Sequence, residues 1–455
     1  MAEFDFDIGI IGGGAAGLTV AAGAAQLGAR TLLVEREKAL GGDCLHYGCV
    51  PSKTLIRTAR AYHRIKHTEE LGLPPVEVPP VTWPSVRERI QSVISTIQRH
   101  DSEERFCGLG ARVLFGSPSF TDEHAVRLGG ASYSARTWVV ATGSSASIPA
   151  LEGLERTPFI TNRELFSMER FPASLIVLGA GPIAVEMAQA LQRLGTQVTV
   201  VQRSGHILSK EDPDMADEVM HVLRKEGVSF LLNTSVVAVR DLGDRREVRV
   251  RVGEEERDLH AEALFVALGR APNTAGLNLK GIGVELDRKG VSVDARLRTN
   301  LKHVYAAGDV TGTYPFTHAA GYEGGIVISN AVFHLPRRTD YRFLPRCTYC
   351  DPELAVVGMT EKEAEGRGIR FSVWTEAFEA NDRAQAEGET AGRVKLLLDE
   401  KERPIGVQIL GPRAGDLLGE WVAVFNGGVR LATLASAVHP YPTLCEINKL
   451  SLIHI

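Results

Sequence analysis

The chain has 455 residues and a formal net charge of −5, with 44% hydrophobic and 24% charged residues. This length exceeds what one hydrophobic core supports, and about three domains of roughly 150 residues are expected. The small net charge, without a basic block, disfavours nucleic acid and anionic lipid as partners. No run of about 18 apolar residues is present, so no membrane insertion is expected.

The first residues, MAEFDFDIGI, are acidic and strand-like, and they lack the basic start and cleavage site of a secretory signal. A cytoplasmic location is therefore expected. Six cysteines are too few for a disulfide scaffold in a chain of this length. In a reducing compartment, closely spaced cysteines are more typical of catalytic or metal-binding sites than of structural disulfides.

A strand-helix-strand unit begins the chain. Apolar residues predict a buried strand over 7–11, a helix over 15–27 and a second strand over 30–35. Glycines occupy the turn between the first strand and the helix: Gly12, Gly14 and Gly17. Such glycines let the backbone approach a pyrophosphate at the helix N-terminus, and Glu35 would accept hydrogen bonds from a ribose hydroxyl. A first dinucleotide site is predicted here.

The same pattern returns in the middle of the chain, with strands over 175–178 and 197–201 and a helix ending near 194. Small residues again form the turn: Gly179, Gly181 and Ala184. The second strand ends in Gln202 and Arg203, where the first unit has a carboxylate. An arginine attracts a 2′-phosphate that a carboxylate would repel, so NADPH is predicted, with NADH possible. A solvated Arg203 with no ligand is the alternative.

Two further apolar strands are predicted over 138–144 and 264–270, and each closes one nucleotide-binding domain. Beyond residue 326 the glycine fingerprints stop. The segments 393–398 and 404–410 predict antiparallel strands instead. The fold class is therefore α/β, with two Rossmann-like three-layer domains followed by a C-terminal domain of α+β type.

Between these units lies the segment GGDCLHYGCVPSK, which places Cys44 and Cys49 five residues apart. On a straight helix this spacing gives about 7.5 Å of rise, whereas a disulfide tolerates up to about 7 Å between Cα atoms. A disulfide therefore requires a distorted turn, for which Gly48 has the flexibility. Two inert buried cysteines are the alternative, which the surrounding motif disfavours.

This segment resembles the motif Gly-Gly-Thr-Cys-x-Asn-x-Gly-Cys-x-Pro-Ser-Lys of the pyridine nucleotide-disulfide oxidoreductases, a family that includes lipoamide dehydrogenase, glutathione reductase and mercuric reductase. The resemblance runs along nearly the whole chain. Asp43 and His46 depart from the motif, and neither departure changes a thiol.

The resemblance implies that Cys49 lies against the flavin of FAD and makes the charge-transfer contact, and that Cys44 meets the substrate. Lys53 would approach the flavin N5 region and pair with Glu186, and Asp309 would bond the ribityl chain. The implied cofactor-binding residues are Gly12, Gly14, Gly17, Glu35, Gly42, Lys53, Thr142, Gly143, Gly179, Gly181, Gln202, Arg203, Gly269 and Asp309.

The resemblance also implies the order of domains and the path of electrons. The FAD-binding domain takes residues 1–150 and 271–340, the NAD(P)-binding domain 151–270 and the dimerisation domain 341–455. Hydride would pass from NADPH to FAD, and the Cys44–Cys49 disulfide would be reduced next. The dithiol would then reduce a small-molecule or metal-ion acceptor. A homodimer with an active site shared across the interface is implied.

The C-terminal segment HPYPTLCE bears on the choice among family members. Disulfide-reducing members carry His-Pro-Thr-x-x-Glu, whose imidazole moves protons to the interchange thiol. Aligned on Pro-Thr, the position of this base holds Tyr441, and Glu446 keeps its place. A phenol with a pKa of about 10 is a poor base at neutral pH. Mercuric reductase is similar to this chain in placing a tyrosine there.

Other residues are candidates for the missing functions. Mercuric reductases commonly have a C-terminal Cys-Cys pair and often an N-terminal Cys-x-x-Cys domain, and this sequence shows neither. Cys445, or Cys347 with Cys350, would replace these thiols, and His439 would act as a displaced base. No resident metal site is predicted, because one Cys-x-x-Cys pair without a second is weak evidence for a metal.

Three functions follow from these motifs. The first is a mercuric reductase-like oxidoreductase whose acceptor is Hg(II) or another soft metal ion, which thiolates bind well. The second is a dihydrolipoamide dehydrogenase-like enzyme that uses His439 as its base. The third is a redox-sensing or metal-sequestering flavoprotein without useful turnover.

The nucleotide preference gives the first test. The variant Arg203→Glu should shift preference from NADPH toward NADH, because the new carboxylate repels a 2′-phosphate and accepts from a free 2′-hydroxyl. One charge-assisted contact contributes about 1.5–3 kcal/mol, or about ten- to a hundred-fold in the ratio of kcat/KM for the two nucleotides. An unchanged ratio would show that Arg203 faces solvent.

Overall fold

A computed structural model describes residues 4–452. The chain divides into two units. Unit 1 comprises the chain to Ser52, Arg87–Ser147 and Gly269–Asp340, and unit 2 comprises Lys53–Val86, Ile148–Leu268 and the chain from Tyr341. The predicted domain boundaries are a finer division and stay a prediction.

Strands and helices occur in mixed order along residues 4–452. The strands are β1 (Phe6–Ile11), β2 (Thr31–Glu35), β3 (Ala111–Phe115), β4 (Ser119–Phe120), β5 (Ala125–Leu128), β6 (Ala131–Val140), β7 (Ser144–Ala146), β8 (Ser174–Leu178), β9 (Gln197–Val201), β10 (Ser229–Leu231), β11 (Thr234–Asp241), β12 (Arg246–Val252), β13 (Glu255–Ala261), β14 (Ala263–Val266), β15 (Arg270–Pro272), β16 (Val304–Ala306), β17 (Arg346–Thr348), β18 (Glu353–Gly358), β19 (Phe371–Ala377), β20 (Arg393–Asp399) and β21 (Pro404–Gly411).

The helices are α1 (Ala15–Gln26), α2 (Gly42–His46), α3 (Cys49–Lys66), α4 (Trp83–Gln98), α5 (Glu103–Gly108), α6 (Asn162–Leu165), α7 (Pro182–Arg193), α8 (Pro213–Lys225), α9 (Thr317–Ala331), α10 (Glu361–Gly366), α11 (Asp382–Glu387), α12 (Ala414–Gly427), α13 (Leu431–Ser436) and α14 (Glu446–Leu450). Short 3-10 turns occur at Thr68–Leu71, Arg99–Asp101, Leu154–Arg156, Asp309–Thr311 and Phe378–Ala380. Among residues 4–452, no helix combines the length and the apolarity needed to cross a bilayer.

Unit 1 is built on a seven-stranded sheet in the order β3-β2-β1-β6-β5-β4, with β16 beside β6. Five strands of this sheet run parallel, namely β3, β2, β1, β6 and β16. Strand β4 pairs antiparallel with β5, and β5 pairs antiparallel with β6. Both faces of the parallel part are buried: Ile10 and Val139 belong to one apolar cluster, and Ile11 and Val140 to the other. Strands buried on both faces read as continuous apolar runs, which explains why the sequence predicted β1 and β2 correctly.

Unit 2 contains a parallel sheet in the order β10-β9-β8-β14 and an antiparallel sheet β11-β12-β13. Its C-terminal part is a five-stranded antiparallel sheet in the order β17-β18-β21-β20-β19, whose core includes the buried Trp421 of α12. The predicted second strand-helix-strand unit is confirmed as β8, α7 and β9, and the predicted antiparallel strands are confirmed as β20 and β21. The fold class is therefore confirmed.

Two predicted strands end earlier than expected. The strand predicted over 138–144 ends at Val140, and the strand predicted over 264–270 ends at Val266. Each segment then turns at a glycine with positive φ, namely Gly143 at +67° and Gly269 at +118°. These left-handed conformations redirect the chain, so that β7 and β15 begin as a separate antiparallel pair.

A buried ammonium group connects three elements of unit 2. Lys395 of β20 is 1% exposed, and its Nζ donates to Asp214 at 2.6 Å and to Glu361, with Asp212 at 3.5 Å. The three carboxylates lie within 4.8 Å of one another, a spacing that would suit a metal ion. Because the ammonium already supplies the positive charge among them, they form an ion cluster that links α8, α10 and β20.

The pKa values of this cluster follow from its charges. Burial alone would lower the pKa of Lys395, but the hydrogen bonds to Asp214 and Glu361 raise the pKa overall. Burial alone would raise the pKa of Asp214, and its bonds with Lys395 and Arg393 lower the pKa overall. Lys395 and Asp214 are therefore both charged near neutral pH.

The variant Lys395→Met should lower the free energy of unfolding of unit 2 by about 3 kcal/mol near pH 7, because it leaves the buried Asp212 and the partly exposed Asp214 and Glu361 without their shared counter-ion. Asp214 has a lowered folded pKa, so its contribution is present above its unfolded pKa and is lost as pH falls through the folded value. The difference in stability between wild type and variant, measured in urea titrations, should therefore narrow as the pH falls below about 4, the ordinary pKa of an aspartate. Arg403→Met, which removes an exposed ion pair with Asp399, is the matched control and should cost less than about 1 kcal/mol. Equal stability of Lys395→Met and wild type at pH 7 would contradict the role of the cluster.

Candidate functional site

The first glycine fingerprint lies between β1 and α1 in unit 1. Gly12 has a φ of +110°, and a Cβ there would lie 2.3 Å from the carbonyl oxygen of Ala141. A Cβ at Gly17 would lie 1.8 Å from the Gly12 carbonyl oxygen. Glu35, at the end of β2, accepts a hydrogen bond from the Gly13 N–H at 2.6 Å. The predicted residues therefore meet at one end of the parallel strands.

The residues at this loop fit a pyrophosphate. Helix α1 begins with no side-chain cap and no acidic residue in its first turn, so its N–H groups are available to an anion. A Cβ at Gly14 would have only the Gly42 Cα within 4 Å, at 3.9 Å. Because protein packing there leaves space for a Cβ, the glycine matches a position that a ligand approaches closely. Gly42 faces Gly14 across this space.

The second fingerprint, in unit 2, has the same construction. Gly179 has a φ of +98°, and helix α7 begins after Gly181 with no side-chain cap and no acidic residue in its first turn. A Cβ at Gly181 would meet nothing within 4 Å. At the end of β9, Gln202 donates to the Ser204 hydroxyl at 2.6 Å, and the Arg203 side chain is exposed. The donor set fits a second dinucleotide, with Arg203 accessible to it.

The two motif cysteines lie on either side of a helix break in unit 1. Cys44 belongs to α2 and Cys49 begins α3, with Tyr47 and Gly48 between the helices. The distorted turn predicted from the spacing is therefore present. Neither cysteine is in a disulfide bond, and the Cys49 sulfur lies 3.3 Å from the Thr317 hydroxyl. A hydrogen bond with the Cys49 thiol, together with burial, raises the pKa of Cys44.

A polar network adjoins this turn within unit 1. The Asp43 carboxylate pairs with Arg270 at 3.0 Å. The Arg270 guanidinium also donates to the hydroxyl and the carbonyl oxygen of Ser144, each at 2.7 Å. The Ser144 hydroxyl in turn donates to Asp309 at 2.6 Å. The residue before Cys44 is therefore connected to Asp309, the residue predicted to contact the ribityl chain.

Lys53 lies one helical turn after Cys49 in α3, and its contacts lie in unit 2. Its Nζ donates to Glu186 at 2.7 Å, and Glu186 is 5% exposed. The second oxygen of Glu186 accepts from the Tyr349 N–H at 2.9 Å, and the Lys53 Nζ lies 4.4 Å from the centre of the Tyr349 ring. The structure thus contains the Lys53–Glu186 pair that the sequence predicted and adds Tyr349 to it.

The C-terminal candidates lie in unit 2 and do not pair with one another as a base and its carboxylate. Tyr441 is 71% exposed, and its hydroxyl donates to Asp382 at 3.0 Å. This hydrogen bond raises the pKa of Tyr441. Glu446 accepts from the Thr443 N–H at 3.2 Å instead.

His439, the alternative base, has a side chain that is 7% exposed. Its Nε2 lies 2.9 Å from a Glu420 oxygen, and its Nδ1 lies 3.3 Å from the Ala437 carbonyl oxygen. Both ring nitrogens therefore face oxygen acceptors, and the imidazole is held within its own unit.

The remaining cysteines differ in environment. Burial raises the pKa of both Cys347 and Cys350, and the Cys350 thiol donates to the Pro352 carbonyl oxygen at 3.0 Å. The Cys445 sulfur lies 3.0 Å from the Thr443 hydroxyl. A buried thiol is inaccessible to an ion in solvent, and Cys350 is 1% exposed. Cys350 is therefore poorly suited to receive a metal ion from solvent.

Several contacts of the site were not predicted from the sequence. Thr317 reaches Cys49 from 268 positions away along the chain, and nothing in the local sequence indicates this contact. Arg270 ends a segment that the sequence singled out only as a strand. Asp43 was identified as a departure from the family motif, and that departure was the available signal of a special contact.

The comparisons with known proteins agree with this geometry. Residues 6–324 match the family model of the pyridine nucleotide-disulphide oxidoreductases. Residues 344–451 match the model of the dimerisation domain of the same family. Together these matches cover nearly all of the described chain.

Similar curated relatives include mercuric reductases and a dihydrolipoamide dehydrogenase. A mercuric reductase from Lysinibacillus sphaericus is 32% identical over 453 residues, which cover 99% of this chain and 83% of the relative. A mercuric reductase from Bacillus cereus is 30% identical over 453 residues, which cover 99% of this chain and 72% of the relative. A dihydrolipoamide dehydrogenase from Chaetomium thermophilum is 34% identical over an alignment of 462 positions, gaps included, which covers 98% of this chain and 90% of the relative.

Among solved structures, the chain is similar to RclA, an HOCl-induced flavoprotein disulfide reductase from Escherichia coli. The TM-score is 0.88 at 27% identity, and the match covers 98% of this chain and 99% of RclA. A Cu(II) complex of RclA matches with the same TM-score of 0.88 and covers 100% of both chains.

The environments of the cysteines predict their rates of alkylation. At pH 8, iodoacetamide should modify Cys107, which is exposed on α5, at least about tenfold faster than Cys350, because alkylation needs an accessible thiolate. Peptide mass spectrometry of the folded protein gives both rates in one sample, and alkylation in urea supplies the unfolded control. Comparable rates in the folded protein would show that Cys350 is accessible and would restore it as a candidate metal-binding thiol.

Proposed function

The chain belongs to the pyridine nucleotide-disulphide oxidoreductase family, and on that premise we propose that it is an FAD-dependent NADPH oxidoreductase that reduces a soft metal ion at Cys44 and Cys49. The observation that carries the proposal is the contact between these two thiols beside the Thr317 hydroxyl. Two adjacent sulfur ligands are a site that suits a soft ion.

The chemistry of the dithiol is a two-electron exchange. FAD, when bound, would supply the two electrons of a nicotinamide hydride for reduction of the Cys44–Cys49 disulfide. The sulfur–sulfur bond breaks, and the two thiols take up two protons. A soft metal ion displaces these protons when it binds both sulfurs. The two sulfurs then give two electrons to the metal ion and re-form the disulfide. The numbers of electrons given and received are equal for an ion that takes up two, such as Hg(II).

The chain's own residues support cofactor binding at both fingerprints. The N–H groups at the start of α1 would hold the FAD pyrophosphate, and Glu35 and Asp309 would bind its ribose and ribityl hydroxyls. At the second fingerprint, the start of α7 would hold the pyrophosphate of NADPH, and Arg203 would pair with its 2′-phosphate. Lys53, fixed by Glu186, would lie near the flavin.

The C-terminal geometry favours a metal ion over a disulfide as the acceptor. Turnover of a disulfide needs a base or acid for the leaving thiol, and the corresponding position holds the Tyr441 phenol. The alternative imidazole, His439, is buried against Glu420 with both nitrogens facing acceptors. The resemblance to mercuric reductases, and the Cu(II) complex known for RclA, support a thiol-binding metal ion as the substrate class.

Reduction of a lipoamide-type disulfide is the second candidate function. The observation that favours it is the identity of 34% to the dihydrolipoamide dehydrogenase of Chaetomium thermophilum, which is as high as that to the mercuric reductases. A homodimer belongs to either proposal, because residues 344–451 match a dimerisation domain. Tyr441 and Glu446 would then reach Cys44 of the partner subunit. We expect both activities to operate in the cytoplasm, where the thiols stay reduced.

The experiment that separates the candidates is NADPH oxidation by the purified flavoprotein with Hg(II), Cu(II), lipoamide and glutathione disulfide as acceptors. Cys44→Ser should abolish turnover with the preferred acceptor, because the dithiol cannot form. A preference for lipoamide over both metal ions would contradict the metal-ion proposal.

The residue Tyr441 gives the sharper test. Tyr441→His should raise lipoamide reduction by about a hundredfold, because a positioned imidazole contributes general acid–base catalysis of that order. Tyr441→Phe should lower Hg(II) turnover by up to about tenfold, the effect expected of one lost hydroxyl contact. Reduction of FAD by NADPH, followed by stopped flow, should be the same in both variants.

Tyr133→Phe on β6 is the matched control for loss of a phenol hydroxyl and should leave all rates unchanged. Two results together would show that the phenol has no role in acceptor choice. The wild-type protein would reduce lipoamide as fast as its best acceptor, and Tyr441→Phe would have the same rates as wild type. His439 would then become the preferred base.

A further inference from the structure

The turn that brings the two thiols together is closed by Asp43. Its carbonyl oxygen accepts a hydrogen bond from the Tyr47 N–H at 2.9 Å, across the five-residue helix α2. Cys44 follows Asp43 directly in the chain. The backbone of Asp43 therefore fixes the end of α2 that carries the first cysteine.

The same residue supports the other side of the break. A Cβ added at Gly48 would lie 2.9 Å from the Asp43 carbonyl oxygen and 3.3 Å from its carboxylate oxygen. It would also lie 3.2 Å from the Cys44 Cα. Gly48, which directly precedes Cys49, thus packs against Asp43. Asp43 is therefore adjacent to Cys44 in the chain and in contact with Gly48, the residue before Cys49.

The side chain of Asp43 is anchored on a separate part of unit 1. Arg270, 17% exposed in its side chain, pairs with the Asp43 carboxylate at 3.0 Å. Two hydrogen bonds of 2.7 Å to Ser144 fix the guanidinium on the paired strands β7 and β15. A guanidinium held by several acceptors in this way has little freedom to follow a moving partner. The Asp43 carboxylate therefore links the turn between Cys44 and Cys49 to the paired strands β7 and β15.

We propose that Asp43 is a positioning residue that keeps the Cys44 and Cys49 sulfurs in register for disulfide formation, through its ion pair with Arg270. This inference rests on the proposed function in one respect, namely that Cys44 and Cys49 form a redox couple. Release of the anchor lets the two helix ends move apart in the dithiol form. The disulfide then closes at a larger entropic cost and becomes easier to reduce.

The test is a glutathione redox titration of the FAD-containing protein without NADPH. Two molecules of glutathione give two electrons and two protons to the Cys44–Cys49 disulfide and join as glutathione disulfide, so the reaction balances. Acid quenching, alkylation and peptide mass spectrometry give the fraction of disulfide at each glutathione ratio. The midpoint yields the effective concentration of one thiol toward the other.

The expected effect is a loss of effective concentration. Asp43→Leu and Asp43→Ala should lower it by about tenfold or more, because they remove the anchor. Asp43→Asn keeps an acceptor oxygen but loses the charge, and it should lower the value by at least about threefold. The conservative Asn variant decides the question if the apolar variants fail to fold. The matched control, Asp294→Leu, removes an ion pair with Arg298 of 2.7 Å elsewhere in unit 1 and should change the value by less than about twofold.

An unchanged effective concentration in the folded Asp43 variants would overturn the proposal, and so would an equal fall in Asp294→Leu. Neither result would affect the proposed function, because wild type would still form the disulfide. Absence of a Cys44–Cys49 disulfide in wild type at every glutathione ratio would instead contradict the proposed function itself.

Discussion

The contact between the Cys44 and Cys49 thiols exists because the helical path between them is interrupted at Tyr47 and Gly48. A continuous helix would separate positions five apart by more than a disulfide allows. The break brings the sulfurs together and leaves α3 free to continue toward Lys53. Other residues of unit 1 contact this turn. The Thr317 hydroxyl lies beside the Cys49 sulfur, and Asp43, next to Cys44 in the chain, pairs with Arg270.

The two nucleotide fingerprints have the same construction, each within its own unit. A positive-φ glycine ends a parallel strand, and the next helix begins without a capping side chain or an acidic residue. The unsatisfied N–H groups of α1 and α7 are then left for anions. The two sites differ at the end of the strand that follows the helix. The first site has Glu35 there, and the second has Gln202 and Arg203. That difference in charge underlies the proposal that a ribose hydroxyl binds at the first fingerprint and a 2′-phosphate at the second.

In the proposed function, the choice of acceptor depends on a small number of side-chain contacts. Tyr441 donates to Asp382 and stays protonated, since this hydrogen bond raises its pKa. His439 is held by Glu420 inside unit 2. These two contacts distinguish this chain from one in which an exposed imidazole serves the interchange thiol, although the overall fold of both would be the same. Function within this family is therefore decided by side chains placed on a shared architecture.

The sequence by itself determined the parallel strands, both fingerprints and the cysteine motif, because each depends on local periodicity or on residue types at fixed spacing. It also indicated the Lys53–Glu186 pair, through resemblance to a family, although 133 positions separate the two residues. Only the tertiary structure decided that β6 stops at Val140, that Thr317 meets Cys49 and that Asp43 pairs with Arg270. Contacts between residues far apart in the chain depend on how strands and helices pack, and no local pattern records which side chains packing will bring within hydrogen-bonding distance.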